Sequence, residues 1–370
     1  MKVCIITHDF PDQKRSVFTF VKQLVEEFAK QGNQCCVIAP YSITSNRKVC
    51  KFKEVISLGE SSIVILRPNY LSVSNLTIGR NKLSAVFHER AVERALKFLP
   101  FVPDVFYAHF WTSAMEVYPY ASKRNIPLFV ATGESQIQIP RGYTPQFSEY
   151  ISGVICVSSK NMLESIELGL TTPEKCIVLP NSINAGLFYK RDKQICRKKL
   201  GFSEDDFIIV FVGWFDDRKG ANRVARAIRS LDNTYIKSIF IGKGIKEPDC
   251  DGILYKGMLS HDKIPAYLCA ADVFVLPTLY EGCCNAIVEA MACGLPIISS
   301  DLQFNYDILD RTNSILVDPN NIDDISQAIF TLYNNSSLRD SMANQSILKS
   351  KQLHIDVRAA KIISFIKQKS

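Results

Sequence analysis

The strongest constraint on this chain is a repeated alternation. Short runs of apolar, β-branched residues are followed by longer segments whose apolar residues recur at helical spacing. KVCIIT (2–7) is apolar at nearly every position, which suits a strand buried on both faces. FVKQLVEEFAKQG (20–32) then shows a 3.6-residue period and stops at Gly32. NQCCVIAP (33–40), DVFYAH (104–109), PLFVATG (127–133) and GVICVS (153–158) read as further strands, with helices expected at 84–98, 113–124 and 160–169. Repeated βα units predict a parallel sheet covered by helices on both faces.

The pattern restarts after KCIVLPNSIN (175–184) and a charged stretch, YKRDKQICRKKLG (189–201). Strands follow at FIIVFVG (207–213), SIFIG (238–242), GILYKG (252–257), DVFVLP (272–277) and PIISSD (296–301). Two successive α/β domains are expected, 1–185 and 186–354. At 370 residues the length suits two or three domains. Ligands of open parallel sheets collect outside the carboxyl ends of the strands, so the residues just after each strand matter most.

Composition narrows the class. With 47% apolar and 22% charged residues, the chain is neither disordered nor a small disulfide-stapled scaffold. The longest apolar runs, such as FIIVFVGWF (207–215), are too short to span a membrane. MKVCIITHD has only Val3 to Ile6 before polar residues, short of a signal-peptide core. The 12 cysteines lie in strand-like runs or adjacent pairs without a C-x-x-C, which reads as reduced thiols in a cytoplasmic protein with no zinc cluster. Net charge is +7, suited to phosphate-bearing ligands or an anionic membrane; no nucleic-acid motif is present. SAVFHERAVERALKF (84–98) sets Arg90, Arg94 and Lys97 beside Phe87, Ala91 and Phe98, a basic amphipathic helix able to face solvent or an anionic membrane surface.

The richest stretch is EGCCNAIVEAMACGLPII (281–298), directly after the strand DVFVLP. A helix from about Asn285 to Cys293 is expected, with Gly282 allowing a tight turn before it. The amide groups from Cys283 and Cys284 to Asn285 and Ala286 then form an anion site for a pyrophosphate. Glu289 suits vicinal ribose hydroxyls. Glu281, in the loop, suits hydroxyls of a transferred group.

EG-x-x-N-x-x-x-EAMA-x-G-x-P resembles the signature of family 4 retaining glycosyltransferases of the GT-B fold, the glycosyl transferases group 1. Other segments match in the family's order over nearly the whole chain. The resemblance implies an α/β protein of two Rossmann-like domains facing across a cleft. The amino-terminal one binds the acceptor and the carboxy-terminal one the nucleotide sugar, and a last helix, about 355–370, crosses back to the first domain. It implies transfer of a hexose from a nucleoside diphosphate sugar, a UDP-sugar by frequency, to a hydroxyl of a glycan or lipid-linked acceptor, with anomeric configuration retained. The setting implied is cell-surface polysaccharide biosynthesis, at the inner face of the cell membrane, with no cofactor and no metal.

Within VFVGWFDDRKG (210–220), Arg218 and Lys219 match the basic pair for the nucleotide phosphates, and Gly213 lies in the same strand–loop. Trp214 stands where the family commonly has arginine. His109 matches a histidine that contacts the transferred sugar, and Gly242 to Gly244 match a loop near the nucleotide. LPNSIN (179–184) departs from the family's PNG-plus-acid segment. The first βα turn lacks the family's glycine and offers Lys14 and Arg15 instead. DCD (249–251) lies in a polar loop and is read as no metal site. The alternative to an enzyme is an inert GT-B protein that binds another enzyme.

Overall fold

The computed structural model describes residues 1–12, 18–44, 51–73, 77–78 and 81–370, with backbone only at 77, 78, 81 and 82. Two compact units result. Unit 1 holds Met1–Val157, Asn161–Leu179 and Ile355–Ser370; unit 2 holds Ser158–Lys160 and Pro180–His354. The division falls between Leu179 and Pro180, ahead of the 185/186 position expected from the sequence.

Unit 1 is built on an eight-stranded sheet: β1 (Lys2–Thr7), β2 (Gln34–Ile38), β3 (Lys53–Leu58), β4 (Ser61–Leu66), β5 (Val105–His109), β6 (Leu128–Thr132), β7 (Gly153–Cys156) and β8 (Cys176–Val178). Their order is β8-β7-β6-β5-β1-β2-β4-β3. All pairings are parallel except β3 with β4, an antiparallel hairpin absent from the sequence expectation of a parallel sheet. KEVISL of β3 alternates exposed and half-buried residues, so it lacks the continuous apolar run that marks the central strands.

The two-residue period of the strands sorts their side chains into two cores. Val3, Ile5, Cys35, Val37, Val105, Tyr107 and Phe129 face the helix Thr19–Lys30 and the carboxy-terminal helix Ile355–Lys369. Cys4, Ile6, Cys36, Ile38, Phe106, Ala108 and Val130 face the helices Leu83–Leu96 and Trp111–Arg124 on the other side. Four of the cysteines, Cys4, Cys35, Cys36 and Cys156, are thus small apolar side chains of these cores. Gly153 opens β7 where the carboxy-terminal helix crosses: a Cβ there would lie 2.7 Å from the Phe365 ring and 2.8 Å from Phe129.

Unit 2 has six parallel strands: β9 (Phe207–Val212), β10 (Ile236–Ile241), β11 (Ile253–Gly257), β12 (Val273–Leu276), β13 (Ile297–Ser300) and β14 (Ser314–Val317), in the order β11-β10-β9-β12-β13-β14. The charged stretch 189–201, to which the sequence assigned no element, contains a helix, Lys193–Leu200, capped by the Asp192 carboxylate. Arg197 anchors it. Its guanidinium donates to Asp272 (2.6 Å) and to the Ala270 carbonyl, and the same Asp272 oxygen accepts the Ile208 amide at 2.7 Å. That buried pair ties the helix to the starts of β9 and β12. The order of β10, β9 and β12 brings the loops after those strands together, because neighbouring parallel strands end on the same edge.

Candidate active site

β12 runs into Pro277 and Thr278, then a loop to Gly282, and the helix Asn285–Ala292 begins behind it. Cys284 occupies the N-cap position and makes no side-chain cap hydrogen bond, so this helix lacks the usual oxygen cap on its first amides. Gly282, Cys283 and Cys284 are buried, Asn285 is exposed and Ala286 half-buried. Asn181 fixes the loop by donating its side-chain amide to the Cys283 carbonyl at 2.9 Å. That gives LPNSIN a supporting part which sequence reasoning did not assign.

The loop after β9 lies alongside. The Leu279 amide donates to the Arg218 carbonyl at 2.8 Å, joining the two loops by backbone, and Arg223 bridges Pro277 and Asp217 through their carbonyls. Asp216 accepts the Lys219 amide at 2.8 Å, and Gly220 in the left-handed region (φ +81°) then starts the helix Ala221–Leu231. This turn aims Arg218 and Lys219 at the β12 loop.

There they meet Glu281. Its Oε1 lies 2.6 Å from the Lys219 ammonium, accepts the Thr278 hydroxyl at 3.0 Å, and pairs with the Arg218 guanidinium. The Lys219 ammonium also lies 3.6 Å from the Cys284 sulfur at the helix start. Burial pulls the Lys219 pKa down, but Cys284 and Glu281 outweigh it and hold the ammonium above its ordinary value. The cluster therefore carries two cations against one carboxylate, beside the positive end of a helix. Such an arrangement attracts an anion with more than one charge. Thr278 was missed in the sequence, although its place just after a strand could have flagged it.

Glu289 lies on the helix Asn285–Ala292, and its Oε1 is 2.9 Å from His261 Nε2. His261, from the loop after β11, was also missed. Its hydrogen bond to Glu289 raises its pKa against the opposing effect of burial. Gly242 and Gly244 close the loop after β10 against the loop after β9. A Cβ on Gly242 would lie 1.9 Å from the Gly213 carbonyl oxygen, and one on Gly244 would lie 2.2 Å from that of Phe215. These glycines let the two loops touch. Trp214 is half-exposed with the Lys243 ammonium 5.5 Å over its ring.

In unit 1, His109 ends β5. It is buried among Phe20, Tyr107 and Phe110, and neither ring nitrogen has a hydrogen-bond partner. Burial, aided by Arg358, lowers its pKa to about 3, so the imidazole is neutral. Glu134, two residues past β6, was not singled out in the sequence. Burial raises its pKa to about 7 although it accepts the Gly133 amide at 2.8 Å. Lys14 and Arg15 lie outside the described residues. Arg94 donates to the Asn69 carbonyl, and a groove of about 510 Å³ beside it is lined by Ile43, Tyr70, Leu71, Phe87 and Arg90. In the DCD segment, Asp249 pairs with Arg229 and Cys250 is buried against Ser238. Among the described residues, no helix is long and apolar enough to cross a membrane.

The chain resembles known proteins in sequence and in fold. Residues 192–349 match the family model described as glycosyl transferases group 1. A Bacillus subtilis glycosyltransferase named for teichuronic acid biosynthesis is 27% identical over 352 residues, covering 89% of this chain and 88% of that protein. Among solved structures, the sucrose-phosphate synthase of Thermosynechococcus elongatus superposes with a TM-score of 0.77 at 17% identity, covering 99% of this chain and 98% of that one. An Anabaena protein in complex with UDP and glucose gives 0.70 at 14% identity, with both chains fully covered. The second unit thus resembles the glycosyl transferases group 1, and the chain as a whole has the GT-B fold.

Proposed function

We propose that the chain is a retaining hexosyltransferase that uses a UDP-sugar and a glycan or lipid-linked hydroxyl acceptor in cell-surface polysaccharide biosynthesis. The observation that carries this reading is the Arg218–Lys219–Glu281 cluster at the uncapped start of the helix Asn285–Ala292. The excess cation and the helix amides hold the diphosphate and offset the charge that builds as it leaves. Glu281 orients the hexose and Glu289 with His261 the ribose, whereas the ring nitrogens of His109, expected on the sugar, are buried away from solvent. On this reading the leaving diphosphate takes the acceptor proton on the face it departs from. The protein's share is positioning and charge stabilisation, without a catalytic metal or a cofactor.

The Anabaena complex with UDP and glucose supports the donor class, and the teichuronic acid relative supports a surface polysaccharide. The groove between Tyr70, Phe87 and Arg90 supports an acceptor with apolar and anionic parts, at the cytoplasmic membrane face. Calorimetry with UDP tests the core of the proposal. Lys219→Ala should weaken binding at least tenfold, and wild-type protein should slowly release UDP from its UDP-hexose donor. Equal UDP affinity in the two proteins would remove the assignment.

A further inference from the structure

A second polar cluster lies in unit 1, made of residues assigned to no role above. His8 directly follows β1, His88 lies on the helix Leu83–Leu96, and Glu116 on the helix Trp111–Arg124. One donor atom from each lies within 4.8 Å of one from each of the others. Tetrahedral coordination with bonds of about 2.0–2.2 Å places donors roughly 3.4 Å apart, so small side-chain rotations complete the geometry.

The hydrogen bonding joins His88 and Glu116 into one unit and leaves buried polar atoms unpartnered. His88 Nδ1 lies 2.6 Å from Glu116 Oε1, which orients both groups. Their other atoms, His88 Nε2 and Glu116 Oε2, are buried and have no hydrogen-bond partner. Buried polar atoms are rarely left so, and a cation in place of the proton shared by His88 and Glu116 takes one lone pair from the imidazole and reaches both oxygens of the carboxylate. Tyr70 stands edge-on to His88 at 5.0 Å, and the His8 and His88 rings lie 4.8 Å apart, which holds both rings in place.

We propose that His8, His88 and Glu116 bind a divalent transition metal that pins the end of β1 to the two helices. Two imidazoles and one carboxylate suit zinc and its neighbours rather than the all-oxygen sites of magnesium or calcium. This site is distinct from the donor cluster of unit 2 and does not rest on its assignment.

The test is zinc calorimetry and cobalt absorption spectroscopy on full-length protein freed of metal by chelation. One equivalent of zinc should bind, and cobalt should give the visible bands of a low-coordinate site. His8→Asn and Glu116→Gln should each weaken zinc binding at least tenfold, while His354→Asn binds like wild type. Because His88 is buried, the half-buried His8 carries the test if His88→Gln does not fold. Absence of zinc uptake by the wild type, or unchanged affinity in His8→Asn and Glu116→Gln, overturns the proposal.

Discussion

Glu281→Gln separates two jobs assigned to one side chain. In the unliganded protein the Glu281 carboxylate is the counterion shared by Lys219 and Arg218, at side-chain exposures of 12%, 11% and 25%. Glutamine keeps the shape and the Thr278 contact but leaves two adjacent cations without their anion. Removing one partner of a buried pair costs about 3–5 kcal/mol; the partial exposure of Arg218 favours the low end, about 3 kcal/mol. For a unit of this size that lowers the melting temperature by roughly 6–12 °C. A diphosphate then supplies the missing negative charge. UDP should therefore bind the variant at least as tightly as wild type and raise its melting temperature by more, while hexose transfer falls. Thermal denaturation with and without UDP, beside UDP calorimetry, reads both effects. A variant that melts like wild type, or binds UDP more weakly, would refute the neutralising role.

Gly242→Ala should destabilise the protein by about 3 kcal/mol in urea denaturation, because its Cβ would sit 1.9 Å from the Gly213 oxygen and backbone must move; a loss under about 0.5 kcal/mol would show that the loops do not need this contact. His109 and Glu134 set opposite pH slopes in unit 1. The unfolded His109 takes its proton near pH 6.5 and the folded one only near 3, so stability is lost as pH falls through that window, by up to ~5 kcal/mol. His109→Phe should flatten this acid-side slope, and an unchanged slope counts against the burial argument. The folded Glu134 holds its proton up to about pH 7, so stability falls as pH rises from 4.5 towards 7, by about 3 kcal/mol, and Glu134→Gln should remove that loss. The stabilising bond of His261 to Glu289 is fully present below pH 6.5 and fades as pH rises through the raised His261 pKa. Melting curves from pH 6 to 9 should show that decline in wild type and not in His261→Gln.

What could be read from the chain follows from where each element finds its partners. β1, β5, β6 and β9 are covered on both faces, so burial demands apolar residues at every position and the strands stand out in any short window. β3 is an edge strand with one face near solvent, and its mixed residues look like a loop until Ser61–Leu66 pairs with it. The helix Lys193–Leu200 escapes for a different reason: its anchor is the bond from Arg197 to Asp272, 75 residues further on, and no local pattern encodes that. The same division runs through the site. Glu281, Glu289 and the helix start lie within one βα unit, where spacing alone aligns them. His261 reaches Glu289 from 28 residues away and Asn181 reaches Cys283 from 102, so their parts depend on the order in which β9 to β14 are laid down. Arg218 and Lys219 stand between these cases: their loop is local, but their meeting with Glu281 requires β9 and β12 to be neighbours. The strand order thus converts a short motif into a charged cluster, and a substitution that shifted the β9–β12 pairing would disperse the cations without touching one of them.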